Sequence, residues 1–183
     1  RELVLNRPTA PMIYRDVIPV TQTGDGGLEL DGAGSPVEWV LRMHRFAAEC
    51  EMTAVAASGR LTDQVAESLG RAVQRFHATC PVRRDQGDDL IRDILDELER
   101  VLGPLDGVVG GGLVDRVLGR AREQLTSVAP ALRERSALGR VKRGHGDLHL
   151  RNLLLIDDEP VLFDALEFDE RLATCDVLYD LAF

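Results

Sequence analysis

The stretch His145-Gly146-Asp147-Leu148-His149-Leu150-Arg151-Asn152, followed by two short apolar runs and Asp164, decides how this sequence is read. Leu153-Leu154-Leu155-Ile156 and Val161-Leu162-Phe163 are separated by Asp157-Asp158-Glu159-Pro160, the pattern of a β-hairpin. A strand out and a strand back bring Asn152 and Asp164 to the same end, within ~5 Å between paired backbones. An amide oxygen and a carboxylate there can share a hard cation such as Mg²⁺, which prefers oxygen ligands. Asp147, one loop away, can accept a proton from an incoming hydroxyl. Metal-held phosphates and a carboxylate that positions the nucleophile are what phosphoryl transfer from ATP requires.

Upstream of this stretch the chain is helical. Thr62 can cap a helix with Asp63 in its first turn, where negative charge meets the helix dipole. Val65, Leu69, Ala72, Val73 and Phe76 then share one face, and Pro81 ends the run. Leu90, Ile91, Ile94, Leu95, Leu98, Val101 and Leu102 form a second amphipathic stripe, stopped by Gly103-Pro104. Leu113, Val117, Leu118, Ala121 and Leu125 form a third. The start is β-rich: Val17 to Thr23, Leu28 to Leu30 and Val37 to Met43 read as strands, with turn clusters at Gly24-Asp25-Gly26-Gly27 and Gly32 to Pro36. Val37, Trp39 and Leu41 alternate with Glu38, Val40 and Arg42, the pattern of a half-buried sheet. Glu2 to Arg7 reads as the tail of a helix stopped by Pro8 and Pro11, and Asp176 to Phe183 as the start of another. A chain that opens and closes inside helices is expected to be a piece of a longer one.

Composition narrows the function classes. The 183 residues are 44% hydrophobic and 29% charged, the mix of a globular domain or two small lobes. No apolar run approaches the ~18 residues of a membrane span and no signal-peptide pattern opens the chain, so a cytoplasmic location without a membrane partner is expected. A net charge of −9 repels phosphate backbones and argues against a nucleic-acid partner. Cys50, Cys80 and Cys175 form no CxxC pair and read as reduced thiols. Lys142 is the only lysine.

The run HGDLHLRN resembles the catalytic loop of aminoglycoside phosphotransferases and related protein-kinase-like enzymes, and matches the kinase pattern H-x-D-x-x-x-x-N. The strand ending at Asp164 is similar to the one that carries the metal-binding aspartate. Asp176 and Asp180, in CDVLYDLAF, resemble the family's D…DLA helix start, where the first aspartate braces the catalytic loop. The match is close to kinase-like domains fused ahead of a P-loop ATP-binding domain, through residues 5–14 (LNR…AP…Y) and 36–43 (PVEWV-type hinge strand). The resemblance implies an α+β, protein-kinase-like fold. Residues 1–45 would be a partial N-lobe β-sheet and hinge, and residues 46–183 a largely helical C-lobe with a catalytic-loop β-hairpin. It implies an ATP- and Mg²⁺-dependent phosphotransferase with a small-molecule hydroxyl acceptor and a fused C-terminal ATP-binding domain. Asp147 would be the catalytic base, Asn152 and Asp164 the metal ligands, and Met43 the hinge residue against which adenine rests. His149 would stand where kinases have the catalytic-loop lysine, touching cofactor, and His145 and Asp176 would support the site.

A kinase fold also needs a phosphate-covering loop and a lysine paired to a helix glutamate. Lys142 lies just before the catalytic loop and is not that residue, so the first strands are expected to precede Arg1. The alternative is a non-catalytic kinase-like module that binds a nucleotide or a partner. A binuclear hydrolase reading of His145-x-Asp147-x-His149 is short of ligands, since none of the four histidines follows His149. Gly110-Gly111-Gly112 reads as a flexible connector, His44 and His77 as surface or packing residues. The acidic run Asp88, Asp89, Asp93, Asp96, Glu97 and Glu99 reads as the solvated face of its helix, or as an acidic wall for a cationic substrate.

Overall fold

The computed structural model describes residues 1–84, 87–110 and 112–182. Helix α1 (Glu2–Asn6) leads into strand β1 (Tyr14–Gln22), which pairs antiparallel with both β2 (Leu28–Leu30) and β3 (Pro36–Met43) in the order β2-β1-β3. Helices α2 (Met52–Ala57), α3 (Asp63–Thr79), α4 (Asp89–Leu102), α5 (Asp106–Val109) and α6 (Leu113–Ala137) follow. Strand β4 (Val141–Arg143) comes next, then the antiparallel hairpin of β5 (Leu153–Ile156) and β6 (Glu159–Leu162). Strand β7 (Thr174–Asp176) pairs with β4, and helix α7 (Val177–Leu181) closes the described chain. The class is α+β: helices combined with small, wholly antiparallel sheets. No helix among the described residues is long and apolar enough to cross a membrane.

By packing, residues 1–78 with 147–168 form one compact unit and residues 79–146 with 169–182 another. In the first, the hairpin is the centre. Asp157 and Asp158 both take left-handed φ (52° and 62°), the two-residue turn whose twist matches that of the strands it joins. The strands are thus longer than the four-residue spacer Asp157 to Pro160 suggests, and Pro160 pairs with Leu155 inside the ladder. Leu153, Leu155 and Leu162 pack with Met52, Val55, Ala72, Val73 and Leu148, while Leu154 and Val161 pack with Ala10, Ile13 and Tyr14. Both faces of the hairpin are buried, which is why its sequence runs LLLI and VLF without polar alternation. Helix α3 begins as its sequence predicts, with the Val65 N–H donating to Thr62 Oγ1 at 3.3 Å.

The three-stranded sheet departs from expectation. Trp39 is 57% exposed and Val37 52%, and every residue of β2 is exposed, so β3 is not half-buried along its length. Only its last turn joins a core, through Leu41 against the cluster around Ile13 and Tyr14. Gly34 is required where it stands, because a Cβ there would overlap the Gln22 carbonyl oxygen.

In the second unit, α4 and α6 are tied by Arg122, whose guanidinium donates to Asp96 and Glu99. Helix α6 runs on through Pro130 to Ala137, beyond the stripe that ends at Leu125. The acidic run is not all solvated face. Asp88 is buried, held by Arg133 at 2.8 and 3.0 Å and by Arg92 at 2.5 Å, and Arg133 above all holds its carboxyl down at about 2. Of the glycine run, Gly110 and Gly112 both take left-handed φ, and Gly111 lies outside the described residues. The last helix is shorter than the expected Asp176 to Phe183: Asp176 ends β7 and caps α7, and Phe183 lies outside the described residues.

Candidate functional site

The loop before the hairpin ends in a short helical turn, Leu150–Asn152, which swings Asn152 back onto Asp147. The Asn152 Nδ2 donates to the Asp147 carbonyl at 2.9 Å and to the Asp147 carboxylate Oδ2 at 3.1 Å. Both amide protons are thereby used, and Oδ1 is the atom left to ligate a cation. The Asn152 carbonyl accepts from the Phe163 N–H at 3.2 Å, extending the ladder that pairs Leu153 with Leu162. His149 Nε2 lies 3.5 Å from Asp147 Oδ2. Asp147, His149 and Asn152 are therefore in mutual reach, and Asp164 follows the residue that Asn152 pins.

Asp164 has φ 61°, in the left-handed region that non-glycine residues seldom occupy. Its N–H donates to the Tyr14 hydroxyl at 3.1 Å, and the next N–H, of Ala165, donates to Asn6 Oδ1 at 2.6 Å. Burial pushes the Tyr14 phenol up to about 12, a shift that the Asp164 N–H on its oxygen partly offsets. Glu2 is also pushed up, first by burial and then by the charges of Asp164 and Glu167. Three carboxylates thus share this end of the unit, and their repulsion marks a place where positive charge is favourable. Among the described residues no group of three or more His, Cys, Asp or Glu forms a ready-made metal cage. The oxygen set of Asn152 and Asp164 suits Mg²⁺, which commonly takes one or two carboxylates and completes its shell with waters and phosphates.

In the second unit the brace on the loop is a different residue from the expected one. Asp180 is buried and accepts from the His145 N–H at 3.0 Å and the Gly146 N–H at 2.9 Å. Asp176 instead pairs with Arg135 at 2.6 and 2.8 Å and caps α7 by accepting from the Leu178 N–H. Once the helix start is known at Val177, Asp176 is its capping residue and Asp180, inside the helix, finds its partners elsewhere. Gly144 belongs to the same arrangement, since a Cβ there would sit 2.7 Å from Asp180 Oδ2. His145 is fully buried. Met43 ends β3 opposite Tyr14 and is 37% exposed.

Asn6, Tyr14, Glu2 and Glu167 were not singled out by sequence reasoning as site residues. Asn6 and Tyr14 lie within the LNR…AP…Y segment, whose polar members between apolar ones were the available signal.

The chain is 26% identical over 193 aligned residues to uncharacterized proteins from two strains of Mycobacterium tuberculosis and from Mycobacterium bovis. The match covers 100% of this chain and 36% of each relative, so the chain spans about a third of the length of these curated relatives. No family model matches the chain, and no solved structure matches it significantly.

Proposed function

We propose that the chain carries the catalytic loop and metal-binding strand of an ATP- and Mg²⁺-dependent phosphotransferase acting on a small-molecule hydroxyl, akin to aminoglycoside phosphotransferases and other protein-kinase-like enzymes. One observation supports the reading: the Asn152 side-chain amide donates to Asp147 while the Asn152 backbone carbonyl accepts from the N–H of Phe163, the residue before Asp164.

Asp147 is the base. Its carboxylate, oriented by the Asn152 amide, would receive the hydroxyl proton of the acceptor. His149, within reach of the same carboxylate, stands where it can meet a phosphate oxygen or the acceptor. Asn152 Oδ1 and Asp164 would hold Mg²⁺, which when bound supplies charge neutralisation for the transferring phosphoryl group. Asp180 fixes the backbone of His145 and Gly146 at the entrance to the loop. The lobe division at residue 45, adenine resting against Met43, a cytoplasmic location and a fused ATP-binding domain belong to the same proposal. The partial coverage of the relatives leaves length for such a domain.

The test is Asp147→Asn in the full-length protein. Turnover of an identified acceptor should fall by about 10²–10⁴-fold, the usual scale for a positioned base, with nucleotide affinity nearly unchanged. Turnover at the wild-type rate removes Asp147 from the role. Failure of the wild-type protein to bind ATP with Mg²⁺ would favour a non-catalytic module.

A further inference from the structure

We infer that Asn6 and Tyr14 form a buried polar clamp that sets the backbone at Asp164 and Ala165, and so aims the Asp164 carboxylate. The inference rests on the phosphotransferase reading for what Asp164 does, and on geometry of its own for how it is held.

Asn6 is 0% exposed and Tyr14 1%, among the most deeply buried polar side chains described. Such groups are costly unless hydrogen-bonded, so a core that retains two of them is holding something with them. Their partners lie across the sequence, not beside them. Asn6 Oδ1 accepts from the Ala165 N–H at 2.6 Å, and Asn6 Nδ2 donates to the Ala165 carbonyl at 3.4 Å and to the Glu2 carbonyl at 3.3 Å. One side-chain amide thus pairs with both polar groups of a single backbone residue, as a neighbouring strand would. Tyr14 adds the preceding N–H, that of Asp164.

The residue between these bonds is the one with φ 61°. Aspartate tolerates the left-handed region better than most residues but does not prefer it, so the conformation persists only when its surroundings determine it. Strand β6 has ended at Leu162, and the Phe163 N–H donates to the Asn152 carbonyl one residue beyond it. The Asp164 N–H, the Ala165 N–H and the Ala165 carbonyl are then all held by Tyr14 and Asn6. Because φ and ψ set the direction of the Cα–Cβ bond, a change of φ at Asp164 would re-aim its carboxylate. Tyr14 is itself anchored, because its ring packs with Ile13, Leu154 and Val161. Asn6 and Tyr14 are positioning residues, acting through Asp164.

The experiment uses full-length protein and two variants, Tyr14→Phe, which keeps the ring in its cluster, and Asn6→Leu, which keeps the volume. Mn²⁺ serves as the probe, titrated by electron paramagnetic resonance at saturating non-hydrolysable ATP analogue, and hydrogen exchange is followed at the Asp164 and Ala165 amides without metal. Each variant should weaken Mn²⁺ binding roughly five- to tenfold, the scale of one net hydrogen bond, and speed exchange at those amides. Metal-free nucleotide affinity should not change. In an Asp164→Ala background neither variant should weaken Mn²⁺ binding further, because the clamp works through that carboxylate; a merely structural role would leave the losses additive. Wild-type Mn²⁺ affinity in Tyr14→Phe, or additive losses in the Asp164→Ala background, overturns the clamp alone. Absence of Mn²⁺ binding in the wild type overturns the phosphotransferase reading, and the clamp's purpose with it.

Discussion

Strands β5 and β6 and strands β1 to β3 pair in the same antiparallel manner, but they meet opposite fates. The hairpin is buried on both faces: Leu154, 0% exposed, packs toward Ile13 and Tyr14, and its neighbours Leu153 and Leu155 pack toward α2 and α3. An isolated bridge from Glu51 to Leu154 also covers part of the β5 edge. In the three-stranded sheet Leu28, Leu30, Val37 and Trp39 remain exposed, although each of these side chains is as apolar as those of the hairpin. Alternation along a strand says which side chains share a face. It does not say whether another element arrives to cover that face.

Electrostatics separate the two regions in the same way. Asp16, on β1, is drawn below the ordinary aspartate range because Arg42 on β3 hydrogen-bonds to it. Glu2, near the end of the hairpin, is pushed up by burial and by the charges of Asp164 and Glu167. The exposed sheet pairs Asp16 with Arg42, whereas Glu2 lies near two further carboxylates, Asp164 and Glu167.

The largest expected effect lies in the hairpin. Leu154→Ala should destabilise the protein by about 2–5 kcal/mol, the cost of a cavity in a close-packed site. Denaturant unfolding measures it, and a loss below about 1 kcal/mol would show that the hairpin is less central than its burial indicates.

Glu2→Gln should have a smaller effect, of the opposite sign. The folded state raises the Glu2 carboxyl above its unfolded value, so ionised Glu2 opposes folding above the folded pKa, and that cost disappears as pH falls through it. The variant should therefore melt higher than wild type near neutral pH and equal to it below the ordinary glutamate range, about pH 4. A melting temperature unaltered at neutral pH would mean that neither burial nor the neighbouring carboxylates oppose the charge on Glu2.

The smallest effect belongs to the sheet. Leu30→Ser, at a position 62% exposed, should change stability by no more than about 0.5 kcal/mol. A loss approaching that of Leu154→Ala would show that this face is covered in the protein in solution, and the contrast between the two regions would fall.

Much of the local structure was legible. The helix α3 cap at Thr62, the stripe that became α4 and the hairpin with its paired apolar runs follow from periodicity and from residues whose conformational preferences are local. The candidate site was legible in part. Asp147, Asn152 and Asp164 stood out because a hairpin fixes which residues share its end. Asp180 was passed over for Asp176, since a capping aspartate and a loop-bracing aspartate look alike until the helix start is known. Asp88 read as solvated for a similar reason: its partner Arg133 lies on α6, far along the chain.

By itself, the sequence determined where the chain turns, which segments are helical, and that a hairpin follows Asn152, because propensity, capping and two-residue turns act over a few neighbouring residues. Only the tertiary structure decided which apolar faces are covered, which aspartate holds the loop, and that Asn6 and Tyr14 reach Asp164 and Ala165. Those outcomes depend on contacts between residues as far as 159 positions apart, whose energy exists only once the chain has folded and water has been excluded from between them.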